Sequence, residues 1–433
     1  MSVDYFKDLV AMRFLYSMLM YLLTPYLLLR LWWKSRRLSA YRMRIAERFG
    51  FGIHECPPVD VWVHAVSLGE MIAASPLIDS LLTKHYSVLV TTMTPTGSEQ
   101  ALMRFGNRVS HQYIPYDIPC ALKRFLKHRN PGVGIIMETE LWPNLIYQAA
   151  KAKVPLLLAN ARLSERSHRG YMMLRFFFKP LLQQFWAILT QSEDDARRFI
   201  ALGAQSTSVR FLGNIKFDIH SEAVDSQISK SLKELWGAKR PVVIAASTHE
   251  GEEVQILNEL RSLQQAIPNV ILLIAPRHPE RFQTVLKLCK QTGFNTGLRS
   301  ETHTLCTENE VIVLDCLGEL MSWYQISDYA FVGGSFVPVG GHNVLEPIAV
   351  GVPVLSGTQV HNFKAICAEL KAADAIQLIA DAKALTESII KLHQDHISRQ
   401  QMIDNASGVL EQNKGSVAKH LDQIELALAS RSN

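Results

Sequence analysis

Glutamates that directly follow apolar runs are the residues of this sequence best suited to chemistry. Glu70 comes shortly after a run that ends near Val66, with Gly69 between them for a tight turn, and it opens a helical pattern. The amino end of a helix stabilises an anion, so Glu70 could remain ionised and act as a general base for a hydroxyl. A carboxylate that only complements the helix dipole would have the same spacing. Both interpretations therefore stay open at this point.

A second acidic motif follows the apolar run Gly134–Met137. Glu138 and Glu140 come directly after this run, and Trp142 and Pro143 then open a helix. Two carboxylates at the carboxyl end of a strand are well placed to meet a substrate. One of them could instead cap the helix or pair with a basic group.

Two strand-end motifs of the second half combine hydroxyl, acidic and basic groups. Ser247 and Thr248 lie where a predicted strand meets a predicted helix, and three acids follow, namely Glu250, Glu252 and Glu253. Three neighbouring acids disfavour a phosphate there, so the sequence favours helix capping by the hydroxyls. Arg277 follows an apolar run and precedes Pro279, a position that suits either a phosphate or carboxylate ligand or an ordinary surface arginine.

The longest motif is glycine-rich and reads FVGGSFVPVGGHNVLEPIAVGVPVLSG. An apolar run leads into four glycines, and a helix is predicted from about Asn343; the glycines are Gly333, Gly334, Gly340 and Gly341. Glycine turns let a backbone approach a ligand closely, and a helix amino end attracts phosphate. Glu346 lies one turn inside that helix, where it could accept hydrogen bonds from ribose hydroxyls. The motif therefore indicates a nucleotide site.

The elements that must position these residues are short, continuous apolar runs that alternate with helical patterns. Ten runs are predicted strands: Val59–Val66, Ser87–Thr92, Gly134–Met137, Pro155–Asn160, Ala187–Thr190, Val242–Ala246, Val270–Ala275, Val311–Leu314, Tyr329–Val332 and Pro353–Leu355. Continuous runs are typical of parallel strands covered on both faces. The two sets of five, divided by a linker at Leu212–Lys239, predict an α/β fold of two Rossmann-like domains that face a central cleft.

The amino-terminal segment is the most apolar part of the chain. Phe14–Leu29 contains no charged residue, and Arg13 and Arg30 bracket it. As a helix these residues would span roughly 24 Å, somewhat less than a bilayer core. Basic residues follow from Lys34 onward without a signal-peptidase pattern, so the sequence predicts a membrane anchor, either spanning or interfacial, with the rest of the chain on the cytoplasmic side. A buried first helix of the folded domain is the alternative.

Composition excludes several classes of protein. The chain has 433 residues, which exceeds the usual size of one hydrophobic core, and its net charge of +5 is too small for a dedicated nucleic-acid binder. Its six cysteines are scattered, which is typical of reduced cytoplasmic thiols: Cys56, Cys120, Cys289, Cys306, Cys316 and Cys367. The sequence also lacks the D-x-D, P-loop, H-E-x-x-H and G-x-S-x-G patterns. A nucleotide-dependent transfer without a metal cofactor fits this set better than hydrolysis.

The order of the motifs resembles a known family. The pattern G-x-x-N-x-x-E-P-x-A-x-G-x-P-V at Gly340–Val354 is similar to the donor-binding signature of GT-B glycosyltransferases. The successive motifs HAVSLGE, TPTG, METELWPN, NARLSERS, GNIKFD, AASTHEGEE, APRHPER and GGHNVLEP resemble the 3-deoxy-D-manno-oct-2-ulosonic acid (Kdo) transferases of lipopolysaccharide assembly. The resemblance runs from about Tyr41 to beyond His361, and the upstream anchor is consistent with it.

This resemblance implies transfer of Kdo from CMP-Kdo to lipid IVA, the tetra-acylated lipid A precursor, with inversion and without a metal or other cofactor. It assigns Glu70 as the general base and gives Glu140 and Lys216 supporting roles in the transition state. The residues implied to contact CMP are Pro276, Arg277, Leu317, Gly318, Glu319, Asn343, Val344, Leu345 and Glu346.

The resemblance also implies a cellular setting, namely the cytoplasmic face of the inner membrane, with a single anchor and no nucleic-acid partner. The expected domains are an anchor and basic flank at 1–37, an acceptor domain at 38–213, a CMP-Kdo domain at 221–410 and a tail at 411–433. The stretch from Arg162 to Trp186 mixes basic and aromatic residues and suits a phosphoglycolipid, although an ordinary helix would look alike. Two alternatives remain: a transferase that uses a UDP- or GDP-sugar, and a membrane-tethered nucleotide-binding protein without catalysis.

Overall fold

The computed structural model describes residues 3–36, 39–51, 58–218, 227–237 and 240–432. The chain forms two compact units, and the first of them is made from two separate parts of the sequence. Met1–Asp218 and Lys414–Asn433 form the first unit, and Ile219–Asn413 forms the second.

The first unit is built on a parallel seven-stranded sheet with the strand order β3-β2-β1-β4-β5-β6-β7. Its strands are β1 (Val61–His64), β2 (Val88–Thr92), β3 (Ser110–Tyr113), β4 (Val133–Met137), β5 (Leu156–Ala161), β6 (Ala187–Thr190) and β7 (Val209–Phe211). Its helices are α1 (Val3–Ser35), α2 (Leu68–Thr83), α3 (Pro95–Phe105), α4 (Pro119–Arg129), α5 (Pro143–Lys151), α6 (Glu165–Met173), α7 (Arg175–Leu182), α8 (Glu193–Leu202) and α17 (Ser416–Ser432).

Both faces of this first sheet are buried, as continuous apolar strands require. On one face, Val61 and Val63 pack in a core that includes Leu77 of α2 and Ile424 of α17. On the other face, Trp62 belongs to a second core formed with α4 and α5. Alternate residues of β1 therefore serve two cores, and the carboxyl edge of the sheet is left for polar residues.

The second unit repeats this architecture with the strand order β10-β11-β9-β8-β12-β13-β14, again all parallel. Its strands are β8 (Val242–Thr248), β9 (Ile271–Pro276), β10 (Thr296–Leu298), β11 (Val311–Val313), β12 (Tyr329–Val332), β13 (Val354–Gly357) and β14 (Gln377–Ile379). Its helices are α9 (Gln227–Trp236), α10 (Glu252–Ala266), α11 (Phe282–Gln291), α12 (Leu320–Gln325), α13 (Leu345–Ala349), α14 (Lys364–Ala372), α15 (Ala382–Gln394) and α16 (His396–Asn413).

All ten predicted strands are present, with ends that differ by a few residues. Four further strands were not predicted, namely β3, β7, β10 and β14, and each of them lies at an edge of its sheet. The prediction of a parallel α/β architecture is thus confirmed for both units.

The predicted linker at Leu212–Lys239 begins inside the first unit. Ile215 N donates to Asn160 Oδ1 over 3.1 Å, and Asp218 accepts a hydrogen bond of 2.7 Å from Gly415 N. The segment up to Asp218 is therefore held by strand β5 and by the return of the chain before α17. Residues 219–226, 238 and 239 of the predicted linker lie outside the described residues.

Helix α1 contains the predicted anchor. Met12–Ser35 is 24 residues long with a mean hydropathy of 1.4, and only 6% of its most apolar window is buried. By length and composition it could cross a membrane. The core helix of a soluble protein is mostly buried, so this small buried fraction disfavours the alternative interpretation of a buried first helix.

The five described cysteines are free thiols. This agrees with the expectation of reduced cysteines, and the sixth, Cys56, lies outside the described residues.

Candidate active site

The polar residues of the first unit gather where its strand order reverses. Strand β1 is flanked by β2 and β4, so the crossovers after β1 and β4 leave the sheet in opposite directions. Open parallel sheets bind ligands at such a switch point, beyond the carboxyl ends of the strands. Glu70 follows β1, and Glu138 and Glu140 follow β4, so the topology brings together the two acidic motifs singled out in the sequence.

Glu70 lies in the first turn of α2 and is held by the loop that follows β1. Its Oε2 accepts a hydrogen bond of 2.8 Å from Val66 N, and its Oε1 accepts one of 3.1 Å from Ser67 Oγ. Ser67 is the N-cap of α2, and its Oγ accepts from Glu70 N over 3.4 Å. These reciprocal bonds resemble a capping box, except that the carboxylate accepts from the backbone of Val66, one residue before the N-cap. Glu70 therefore lies in the first turn of α2, as both interpretations of the sequence require, and its hydrogen bonds fix where the carboxylate points.

The electrostatics of Glu70 go beyond capping. Burial raises the pKa of Glu70 to about 7, with contributions from the nearby charges of Glu140 and Glu138. Hydrogen bonds from Val66 and Ser67 oppose this rise. A carboxylate that only capped an exposed helix would keep a pKa near 4.5. A group that titrates near neutral pH is suited to accepting a proton during a reaction.

Lys216 approaches this acidic group from a separate segment. Its Nζ lies 3.1 Å from Glu138 Oε1, and both side chains are half-buried. Its backbone is fixed by Asn214, whose Oδ1 accepts from Lys216 N over 3.1 Å. Glu138 is therefore the acid that pairs with a base, one of the alternatives that the sequence left open.

Glu140 has a different environment. Its Oε2 accepts a hydrogen bond of 2.6 Å from Trp142 Nε1. Burial raises the pKa of Glu140, and the neighbouring charge of Glu138 adds to this effect. The structure thus brings Glu70, Glu138, Glu140 and Lys216 to one edge of the first sheet. Glu138 adopts the left-handed conformation, with φ of 57°, at the point where β4 ends.

In the second unit, the residues implied to bind the donor follow β9, β11 and β12. Arg277 comes directly after β9, is exposed, and donates from its backbone N to Thr248 O over 3.0 Å. Pro276, the last residue of β9, is buried. Arg277 thus extends a charged group from the carboxyl edge of the sheet.

Asn343 and Glu346 form a small network beyond β12. Asn343 Nδ2 donates to Glu346 Oε1 over 3.1 Å, and its Oδ1 accepts from Leu345 N over 3.2 Å. Burial raises the pKa of Glu346, whereas the charge of Arg277 lowers it. Val344 and Leu345 are fully buried, so their side chains belong to the core and only their backbone could face a ligand. Helix α13 begins at Leu345 rather than at Asn343 and has five residues, which weakens the expected dipole effect on a phosphate.

The segment after β11 contains the third set of predicted donor residues. Leu317 and Gly318 are exposed in a turn where Gly318 has φ of 86°. Glu319 accepts two hydrogen bonds of 2.9 Å from the buried guanidinium of Arg299. The structure thus commits the Glu319 carboxylate to a bidentate ion pair.

The glycine-rich loop is shaped by one buried acid, Glu252. Its carboxylate accepts from the backbone N–H groups of Gly334, Ser335 and Phe336 over 2.7, 2.9 and 2.9 Å, and from that of His249 over 2.9 Å. A Cβ at Gly333 would lie 2.8 Å from Glu252 Oε2, so a side chain is excluded there.

The prediction that Ser247 and Thr248 cap α10 was wrong. Strand β8 continues through Thr248, and the N-cap of α10 is Gly251, which has no side chain to accept a hydrogen bond. Ser247 has φ of 54° and belongs to an irregularity in the pairing between β8 and β9.

Two histidines that the sequence did not single out lie against this loop. His249 Nε2 and His342 Nε2 are 2.8 Å apart, and the two rings are stacked. Burial lowers the pKa of His342 to about 3, with help from the charge of Arg277, and burial also lowers the pKa of His249. The two rings are therefore neutral at physiological pH, and one donates its N–H to the lone pair of the other. His249 lies in the AASTHEGEE motif and His342 in the GGHNVLEP motif, so these motifs were the sequence signal that could have identified the two residues.

Two seven-stranded parallel α/β units with polar residues at their carboxyl edges define the GT-B class of fold. The UDP-GlcNAc 2-epimerase of Neisseria meningitidis, solved with UDP-GlcNAc bound, is 16% identical and has this fold. It covers 85% of this chain and 99% of its own, with a TM-score of 0.56. The C-terminal CMP-Kdo binding domain of WaaA from Acinetobacter baumannii is 33% identical, covering 42% of this chain and 96% of that chain, with a TM-score of 0.41.

The family follows from the sequence comparisons. Residues 43–219 match the model for 3-deoxy-D-manno-octulosonic-acid transferase, or kdotransferase. The 3-deoxy-D-manno-octulosonic acid transferase of Haemophilus influenzae is 40% identical over 95% of this chain and 98% of its own length. The chain belongs to the Kdo transferase family and is a glycosyltransferase.

Proposed function

We propose that the chain transfers Kdo from CMP-Kdo to the lipid A precursor lipid IVA by inversion and without a metal ion. In one step, the acceptor hydroxyl oxygen attacks the anomeric carbon of Kdo, the bond from that carbon to the CMP phosphate breaks, and CMP leaves. Attack from the face opposite the leaving group inverts the anomeric centre. Membership of the Kdo transferase family supports the sugar, and the residue types described above support the chemistry.

The observation that carries this proposal is the position and pKa of Glu70. A hydroxyl is a weak nucleophile unless a base accepts its proton as the new bond forms. Glu70 lies at the switch point of the first sheet, is held by Val66 and Ser67, and has its pKa raised to about 7 by burial. It therefore has an appropriate proton affinity for a general base near neutral pH.

Lys216 and Glu140 are proposed to assist this step. Glu138 holds the ammonium of Lys216 in place over 3.1 Å, so Lys216 offers a fixed positive charge beside the acids. A fixed charge stabilises the transition state without reorganisation during the reaction. Glu140 keeps its orientation through its hydrogen bond with Trp142.

The proposed donor site lies at the carboxyl edge of the second sheet. The exposed Arg277 suits the phosphate of CMP and would stabilise the anion that forms as CMP departs. Glu346 and Asn343 would accept and donate hydrogen bonds to the nucleoside, and the predicted contacts of Pro276, Leu317, Gly318, Glu319, Val344 and Leu345 complete this proposal. The shared cleft expected between the two domains stays a prediction.

The acceptor and the location are proposed from the first unit. Lipid IVA carries phosphates and acyl chains, and α6 and α7 expose arginines next to apolar side chains. With helix α1, this supports a position on the cytoplasmic face of the inner membrane with a single anchor.

The test is incubation of the intact chain, in detergent, with CMP-Kdo and lipid IVA, followed by the mass of the lipid product. We expect a gain of Kdo, unchanged when EDTA is added. Product formation that is lost with EDTA and restored by magnesium would contradict the metal-independent mechanism. CMP should displace a bound nucleotide probe, whereas UDP and GDP should not. Displacement by UDP or GDP but not by CMP would support the alternative of a transferase that uses a UDP- or GDP-sugar.

A further inference from the structure

We propose that α1 lies in the plane of one membrane leaflet, docked along the first unit, and does not cross the bilayer. This inference rests on the membrane association included in the proposed function, and it specifies how that association is made. The occupant of the surface described below is a leaflet that contains anionic phospholipids.

One face of α1 contacts the first unit along the whole apolar segment. Near its start, the guanidinium of Arg13 lies 3.4 Å from the centre of the Tyr147 ring, and Ser17 Oγ donates to Asn144 Oδ1 over 2.9 Å. Near its end, Leu31 is buried in a cluster with Tyr116, Ile118 and Ala121, against which Met20 and Leu27 also pack. The contacting positions recur every three or four residues, as expected for one face of a helix.

The most informative contact is between Tyr16 and Asp117. Tyr16 Oη donates to Asp117 Oδ2 over 2.8 Å, and the same carboxylate accepts from Asn144 N and Leu145 N over 3.1 and 2.7 Å. Asp117 is buried, and burial raises its pKa to about 6. An enclosed carboxylate needs such donors. The hydroxyl of Tyr16 is thus part of the structure of the first unit.

These contacts are incompatible with a helix that spans the bilayer. From Arg13 to Ser35 the helix is roughly 33 Å long, which is about the thickness of a hydrocarbon core. If α1 stood across the membrane while docked, the polar ends of α4 and α5 would lie at the depth of the acyl chains. A lipid environment cannot satisfy such exposed backbone and charged groups. A docked α1 must therefore run parallel to the membrane surface.

The opposite face of α1 is apolar and exposed. It presents a stripe with the same helical spacing, formed by Leu15, Met18, Leu22, Tyr26, Leu29 and Trp33. Leu22, at the centre of the stripe, is 72% exposed. Arg30 and Arg36 are exposed near the carboxyl end, where their long side chains can reach lipid phosphates.

Helices α6 and α7 continue this surface. Tyr16 of α1 and Phe177 of α7 have ring centroids 6.2 Å apart, so the two elements are neighbours. Beside Phe177, a group of apolar side chains is exposed, namely Met172, Met173, Leu174 and Phe176. Exposed arginines lie on the same two helices, at Arg166, Arg169 and Arg175. Basic residues close in sequence to exposed apolar ones suit an anionic headgroup layer over acyl chains.

The first experiment determines on which side of the membrane each end of α1 lies. In a cysteine-free background that retains transfer activity, Ser2→Cys and Ser39→Cys variants are treated with an impermeant maleimide in inside-out inner-membrane vesicles. A helix in the plane of the leaflet gives complete labelling at both positions. Labelling of Ser2→Cys only after detergent is added would overturn the proposal. An epitope fused before Met1 of the unaltered chain, digested by added protease if the amino end is on the same side, provides a second reading without cysteine replacement.

The second experiment tests α6 and α7. A polarity-sensitive fluorophore on Met173→Cys should shift its emission to the blue when vesicles of neutral and anionic phospholipid are added. Met103→Cys, on the exposed side of α3, is the matched control and should not shift; both side chains are more than 70% exposed. An unchanged emission at position 173 would overturn the assignment of α6 and α7 to the membrane surface.

Transfer activity is measured on the same samples in detergent. Absence of Kdo transfer by the unaltered chain, with its amino-terminal epitope digested by added protease, would contradict only the proposed function. Normal transfer with Ser2→Cys protected from labelling would contradict only the orientation of α1.

Discussion

Lys216 and Glu138 form an ion pair of 3.1 Å. The pair joins the end of the segment Met1–Asp218 of the first unit to the residue that follows β4. Glu140, two residues further on, bonds instead to Trp142. The two acids of the METELWPN motif therefore have different partners, and their substitutions should have different effects.

Glu138→Gln should lower turnover, because the amide cannot hold the ammonium of Lys216 as an ion pair. We expect a loss of about tenfold in single-turnover transfer, as for an interaction worth about 1.4 kcal/mol. CMP affinity should not change, since no donor residue is altered. Glu425→Gln, which removes an exposed ion pair with Lys84 in the same unit, is the control and should behave like the parent. Equal rates for both variants would exclude a role for Glu138.

Glu70→Gln and Glu346→Gln should have opposite effects on rate and binding. The first removes the proposed base and keeps the shape of the side chain, so we expect a loss of about 10²–10⁴ in rate, or roughly 3–5 kcal/mol of barrier. The second should weaken CMP binding and affect turnover less at saturating donor. Calorimetry with CMP and single-turnover transfer to lipid IVA are measured for both. The assignment of roles fails if Glu70→Gln turns over normally or loses CMP affinity as severely as Glu346→Gln.

The pH dependence of transfer should reflect the raised pKa of Glu70. The ionised form is the base, so kcat/KM should rise with pH and level off above about 7. The residual activity of Glu70→Gln should lack this limb. A limb that persists in the variant would belong to another group.

The raised pKa of Glu70 should make the folded state less stable as pH rises, whereas transfer becomes faster. Between the ordinary carboxylate pKa near 4.5 and about 7, the folded state keeps a proton on Glu70 that the unfolded state has lost. The contribution of Glu70 to folding is therefore lost as pH rises through this window. Glu70→Gln should gain stability relative to the parent at pH 8 compared with pH 5, as measured by denaturant unfolding at both values.

Glu252→Ala should destabilise the second unit and disorder the glycine-rich loop. Four backbone N–H groups would lose their charged acceptor, and we expect a loss of about 3 kcal/mol in the free energy of unfolding together with weaker CMP binding. Glu250→Ala, two residues away and exposed, should change neither quantity appreciably. Thermal unfolding and CMP calorimetry decide between these outcomes, and a stable Glu252→Ala variant with normal affinity would contradict the prediction.

The sequence was sufficient to predict the central strands because their burial on both faces demands continuous apolar residues. The missed strands have a different environment: β3 reads SHQY and β7 reads VRF, and each pairs on only one side. An edge strand needs fewer apolar residues, so its pattern resembles that of a loop. The motifs of each unit lie together for a related reason, since the residues that follow parallel strands all lie at the same edge of the sheet.

Contacts between distant residues could not be predicted. Nothing in the spacing of Glu138 and Glu140 indicates which of them meets Lys216, because the partner arrives from a segment 78 residues away. Likewise, Glu252 was only one of three neighbouring acids in the sequence, and the fold alone shows that its carboxylate accepts from the backbone of Gly334 and Ser335.

The return of α17 to the first unit has a consequence for synthesis on the ribosome. Val417, Leu421, Ile424 and Ala427 complete a core whose other members are made at the beginning of translation. The second unit is contiguous and can fold as it emerges. The first must wait for it with the part of one sheet face that α17 covers left open, for roughly ten to forty seconds at about 5–20 residues per second. During that interval the nascent chain exposes both this face and the apolar stripe of α1, so chaperones or the membrane itself would have to protect it.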